Sequence, residues 1–288
     1  MRTRVLTIAG LILIAAAPIL SLLLGRTELA TSADEEAPPV PLAGVVVPYL
    51  IGLLLIRLVP PRLPQLEPAA GAGREVLRRQ ARWLIGLALI FPVVGLLLKA
   101  TPDGELFYAL AKVLILLAGA WLVLRRIPGP SGAREHRRAV PRLWYWLGPV
   151  PAIAVWGYLY FYSPLIGDRG DLSGYEDWDR VTLAAVMLYT FLTASVLEEI
   201  FYRVILQTRL ESLWGRWPAI TATALLFALM HVHRFGDGPF LDITLLILIS
   251  NGGLGLFAGY LWSRYRNVWA ILVAHGAINS LVLLPLFV

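Results

Sequence analysis

Nine stretches of this sequence are apolar enough to leave water, and their length and spacing limit the fold more than any other feature. They run over about 5–24, 40–59, 83–98, 105–124, 143–163, 181–205, 218–232, 243–262 and 268–287. A helix needs ~20 mostly apolar residues to cross a bilayer. The third run is short and depends on Trp83 and Arg82 to set its depth, and the seventh is also short. Pro- and Gly-rich segments, such as Pro60-Pro61, 128–132 and 236–239, divide the runs as turns between helices do. The expected fold is an all-α polytopic membrane protein with about nine transmembrane helices. No long soluble domain fits, and no internal repeat stands out.

Composition agrees. Hydrophobic residues make up 58% and charged residues 15%, with a mean hydropathy of +0.70. A soluble domain carries roughly a quarter charged residues, so two cytosolic globular domains are not expected, and disorder and coiled coil are excluded. The chain has no cysteine, hence no disulfide framework, no thiolate metal site and no cysteine nucleophile. The first run follows Arg2 and Arg4 like a signal peptide, but its apolar core exceeds the usual ~7–15 residues. A retained helix is expected.

Charge gives the orientation, because Arg and Lys collect in cytoplasmic loops. With the N-terminus inside, the inner segments hold Arg2 and Arg4, then Arg57 to Arg82, Arg125 to Arg142, Arg203 to Arg216, and Arg264 and Arg266. Only Arg26, Lys99, Arg169, Arg180 and Arg234 fall outside, and Lys112 lies within a span. Acids reverse the pattern: Glu28, Asp34, Glu35 and Glu36, and then Asp168, Asp171, Glu176, Asp177 and Asp179, all fall outside. An N-in, C-out topology follows. The net charge of +6 is mostly a topology signal, and nucleic acid is not an expected partner.

Ionisable residues inside a span cost ~3 kcal/mol on insertion scales and usually mark function. Here they are Glu198 and Glu199 in the sixth run, His231 in the seventh, His275 in the ninth and Lys112 in the fourth. Glu199 and Arg203 are i,i+4 in acid-first order and can pair, as Phe227 and His231 share a face. Glu198 lies about 100° round the helix from Glu199 and is expected to be free for chemistry. His275 and Asn279 also share a face. At ~1.5 Å rise per residue, Glu198, His231 and His275 fit one depth below the cytoplasmic surface. A carboxylate and two imidazoles can hold Zn²⁺ or another divalent metal, whose bound water is a nucleophile near neutral pH. Glu and His activating water without metal is the other scheme, and the residues leave both open.

These residues also resemble a known pattern. Glu198-Glu199-Ile200-Phe201-Tyr202-Arg203 is similar to the E-E-x-x-x-R motif of the CAAX prenyl protease type II family, also called CPBP or Abi intramembrane proteases. Phe227-Ala228-Leu229-Met230-His231 resembles its F-x-x-x-H motif, and His275-Gly276-Ala277-Ile278-Asn279 its H-x-x-x-N motif. The motifs stand in the family's order. The resemblance divides the chain into residues 1–180, about five spans of unassigned function, and a catalytic core over 181–288. It implies an intramembrane endopeptidase opening toward the cytosol. Glu198 would be the base, supported by Glu199 and Arg203. His231 and His275 would bind metal or polarise water, and Asn279 would complete an oxyanion site. The family's members cleave prenylated CAAX tails, process or give immunity to bacteriocins, or act on other membrane-anchored substrates. The Arg-, Ala-, Gly-, Leu- and Pro-rich composition fits a GC-rich bacterium, and so a membrane-anchored protein or peptide substrate in the bacterial cell (inner) membrane. The sequence does not set the oligomeric state.

The chain lacks the chemistry of other intramembrane proteases: H-E-x-x-H, G-x-S-x-G with a partner His, or Y-D with G-x-G-D; Ser173 lies in an acidic outer loop. Two other readings fit buried polar groups, a transporter or ion-coupled protein and a catalytically silent immunity or scaffold member of the family. The complete motif set favours the protease, and broken-helix repeats are not visible. Structural roles are expected elsewhere. Asn251 makes a helix–helix bond, Gly255 and Gly259 form a close helix contact, and Lys112 snorkels outward. His233 is a loop residue and His136 is solvated. Trp144, Trp146, Trp156, Trp178, Trp262 and Trp269 form an interfacial belt.

Overall fold

The computed structural model describes residues 2–31, 38–63, 73–128, 140–167, 172–175 and 177–287. Several charged residues of the topology reading lie outside them: Asp34, Glu35, Glu36, Arg134, His136, Arg137, Arg138, Asp168, Arg169, Asp171 and Glu176.

Each of the nine apolar runs is helical: Arg2–Leu23, Leu42–Leu58, Arg74–Lys99, Leu106–Arg126, Val150–Phe161, Arg180–Trp214, Arg216–Met230, Phe240–Tyr265 and Val268–Asn279. Among the described residues, five helices are long and apolar enough to cross a membrane: Thr3–Leu23, Arg74–Lys99, Leu106–Arg126, Arg180–Trp214 and Phe240–Tyr265. Leu42–Leu58 and Val268–Asn279 are shorter apolar helices. A two-residue antiparallel pair, Glu28–Leu29 with Val40–Pro41, follows the first helix.

Local chemistry explains where the helices depart from the apolar runs. The fifth run divides into Arg142–Leu147 and Val150–Phe161 around Gly148-Pro149, because proline has no N–H to continue the ladder. The sixth run continues to Trp214 and stops at Gly215, whose φ of 87° suits glycine. The ninth helix ends at Asn279, well short of 287, and the chain tightens into a 3-10 turn that contains Pro285.

Large apolar side chains cover the outside, as at Leu97 (67% exposed), Leu106 (71%) and Val181 (79%). In water so much apolar surface would mark an interface. On helices that satisfy their own backbone groups it is the face a bilayer covers. The fold is therefore an all-α membrane architecture.

The core gathers around Arg216–Met230, which packs against Gly252–Tyr265, the first helix and Arg74–Lys99. The approach is close at Gly255, where a Cβ would stand 2.8 Å from Ala224 Cα. At Gly259 it would stand 3.0 Å from Gln207 Oε1. Leu42–Leu58 packs on Val150–Phe161. There Trp156 is fully buried, stacked with Tyr160 and Phe257. It is a core residue and not part of an interfacial belt, because its ring fills the space between three helices. Trp146, Trp178 and Trp269 remain exposed.

Candidate active site

The carboxylate helix, Arg180–Trp214, starts on Asp179, whose side chain accepts from the backbone N–H groups of Val181 and Thr182. This is an N-cap. The helix widens to π winding over Phe191–Val196, returns to α over Leu197–Glu199, and widens again over Ile200–Gln207. π turns often lie at functional positions, and here they bracket Glu198 and Glu199. A third π segment, Val113–Ala118, begins right after Lys112 and packs against Leu197–Glu199.

Glu198, Glu199, Arg203 and His275 are all buried, none more than 3% exposed. Glu199 pairs with Arg203, with Nε 3.3 Å from Oε2. Its other oxygen, Oε1, lies 2.9 Å from His275 Nδ1. A carboxylate accepts, so Nδ1 carries the hydrogen and Nε2 is left to face the site. His275 Nε2 stands 3.9 Å from Glu198 Oε2. That gap exceeds a hydrogen bond, and polar groups more than about 3.5 Å apart commonly meet through a water. Glu198 Oε2 accepts no hydrogen bond from the described residues.

Phe227 forms the shared wall. Its ring packs edge-on against His231 (centroids 5.1 Å apart), His275 (5.6 Å) and Tyr202 (5.5 Å). The Arg203 guanidinium lies over the same ring, 4.7 Å from its centroid. Arg203 makes no hydrogen bond with the described residues, so its charge is balanced by Glu199 and the ring face. His231 opens the 3-10 turn that ends the Arg216–Met230 helix. Its Nδ1 lies 2.9 Å from the Phe227 carbonyl. A carbonyl only accepts, so His231 also presents Nε2. Asn279 is half-buried at the end of its helix, one turn beyond His275. Next to it, Ser280 Oγ lies 2.8 Å from Thr190 Oγ1 and ties its helix to the carboxylate helix.

Three expectations change. Glu198 is not a free carboxylate, because Lys112 Nζ lies 2.7 Å from Oε1. Lys112 does not snorkel outward; it is 7% exposed and turned into the core, where a carboxylate outbids a long reach to the surface. His233 is not simply a loop residue. Its ring packs on Tyr108 at 4.5 Å, with Tyr108 OH 3.1 Å from Nδ1. Lys112 had a signal in the sequence, as the only charged residue between 106 and 124. The rule that flagged the buried glutamates applies to it equally.

Among the described residues, no three His, Asp or Glu side chains stand close enough to hold one metal ion. Glu198 Oε1 takes an ammonium, whereas each imidazole, bonded at Nδ1 to a protein acceptor, keeps Nε2 open as metal-binding histidines also do. As the side chains stand, Glu198, His231 and His275 do not form a three-ligand cluster.

Fold and site together define a polytopic helical membrane protein with a buried Glu–His cluster. Residues 180–281 match the family model described as Type II CAAX prenyl endopeptidase Rce1-like, so the resemblance to the CAAX prenyl protease type II family is shown for that segment. No curated protein and no solved structure matches the chain.

Proposed function

We propose that this protein is an intramembrane endopeptidase that hydrolyses a membrane-anchored protein or peptide near the cytoplasmic side of a bacterial cell membrane. The family match supports the reaction class. The observation that carries the chemistry is the pair of unshared atoms, Glu198 Oε2 and His275 Nε2, facing each other at 3.9 Å. A water between them meets two acceptors. Glu198 takes one proton, and His275, oriented by Glu199, holds the other hydrogen. The oxygen adds to the scissile carbonyl carbon. Asn279 donates to the developing oxyanion, the function of such sites in acyl transfer. Glu198 then returns its proton to the departing nitrogen as the C–N bond breaks. His231 packs on the same Phe227 ring as His275 and offers Nε2 as a second acceptor for water.

The mechanism proposed is metal-free, because Lys112 already supplies a positive charge at Glu198. The nine-span, N-in, C-out topology read from the arginine loops would put this depth on the cytosolic side.

The test uses full-length protein in detergent with a panel of tagged membrane peptides. Wild type should cleave, and Glu198→Gln and His275→Ala should each lose roughly 100- to 10,000-fold in kcat, the contribution of a positioned acid–base group. Cleavage should survive stringent chelation. Activity retained in both variants sinks the site. Activity abolished by chelator and restored by Zn²⁺ returns the metal scheme.

A further inference from the structure

Lys112 comes from Leu106–Arg126, a helix outside the 180–281 family match. A lone ammonium in a span is costly and ordinarily reaches for the surface. Here its surroundings hold it inward. The Tyr108 ring, one turn earlier, lies 5.1 Å from Nζ. Tyr108 is packed in turn against Phe91 (5.2 Å) and His233 (4.5 Å). The π segment after Lys112 packs against the turn that carries Glu198. Lys112 thus reaches Glu198 Oε1 at 2.7 Å with the Tyr108 ring beside its ammonium.

Holding that oxygen has a consequence for the other. A glutamate carboxylate swings about its last torsion, a broad and roughly two-fold well. An ammonium on Oε1 stops the swing and fixes the direction of Oε2. We propose that Lys112 is the positioning residue of Glu198: it anchors Oε1 and thereby aims Oε2 at His275. The N-terminal helices then complete the site, where the matched segment alone leaves Glu198 without its anchor. The consequence for turnover rests on the endopeptidase reading; the contact itself does not.

The experiment uses full-length protein in detergent carrying Lys112→Met, Lys112→Arg, Glu198→Gln and the double variant Lys112→Met/Glu198→Gln. Each of Lys112→Met and Glu198→Gln strands a buried charge and should lower Tm, whereas the double variant strands none and should recover most of the loss. Additive losses in Tm would overturn the contact. On a cleaved peptide, Lys112→Met should lower kcat about 100-fold, the scale of a small misplacement of a reacting group, with KM within about twofold. Lys112→Arg should recover at least half of that loss on a logarithmic scale. Wild-type kcat in Lys112→Met, or a change confined to KM, would overturn the positioning role while leaving the endopeptidase reading intact. A wild-type protein that cleaves nothing defeats the endopeptidase reading instead, and recovery of Tm in the double variant then supports the contact by itself.

Discussion

His275 donates its Nδ1 hydrogen to Glu199 Oε1 at 2.9 Å, and the same carboxylate takes Arg203 on its other oxygen at 3.3 Å. Arg203, Glu199 and His275 thus form one chain of charge and hydrogen bonding that ends at Nε2, beside Glu198.

Glu199→Gln should keep an oxygen able to accept from His275 but lose the charge that orients the ring. Expected is a fall in kcat of roughly 100-fold, the lower range for a group serving acid–base chemistry, with KM little changed. Steady-state kinetics on a cleaved membrane peptide read both. Wild-type turnover would show that Glu199 does not orient the imidazole.

Arg203 is fully buried between Glu199 and the Phe227 face. Arg203→Met leaves Glu199 uncompensated, and breaking a buried pair this way costs about 3–5 kcal/mol. Adding Glu199→Gln to Arg203→Met should recover a large part of that loss. Denaturant unfolding of the two variants in one detergent checks it, and equal stabilities would be the contrary result.

Helix packing gives a sharper steric contrast. At Gly255 an added Cβ meets Ala224 Cα at 2.8 Å, backbone that has no rotamer to yield. At Gly157 an added Cβ meets nothing within 4 Å. Gly255→Ala should destabilise by about 1–3 kcal/mol, as overpacking does, and Gly157→Ala should be near neutral. Thermal unfolding of the pair of variants measures the difference.

Asp179 caps the carboxylate helix from outside the apolar region. Its pKa is held below the ordinary carboxylate value, first by the Thr182 hydroxyl and then by the backbone N–H groups it accepts from. A lowered folded pKa stabilises at pH values above the unfolded pKa, and that stabilisation disappears as pH falls through the folded one. The Tm difference between wild type and Asp179→Asn, which keeps a cap that does not titrate, should be constant near neutrality and change only at acid pH. A difference independent of pH down to full carboxylate protonation would show that the charge of Asp179 adds nothing.

Interactions set by local helical geometry were legible in the chain. All nine apolar runs form helices, since hydropathy and length suffice to specify them. The i,i+4 spacings of Glu199 with Arg203 and of Phe227 with His231 became contacts, because helical pitch alone places those side chains together. The match over 180–281 bears out the resemblance carried by the three motifs.

Spacing could not decide which groups meet across helices. Lys112 meets Glu198 from 86 residues away, and His275 meets Glu199 from 76. Both contacts depend on how helices cross and on which side-chain torsions the crossing allows. A sequence rule saw in Lys112 a long side chain with a charged end, and assigned it to the surface. Once Tyr108, Phe91 and the Glu198 turn are packed around it, the inward direction is the one that pairs the charge. The sequence by itself determined the helices, the buried chemical groups and the family resemblance over 180–281. Tertiary structure decided the partner of each group, because a low-dielectric interior forces every buried charge to find its counterpart among neighbours that only packing supplies.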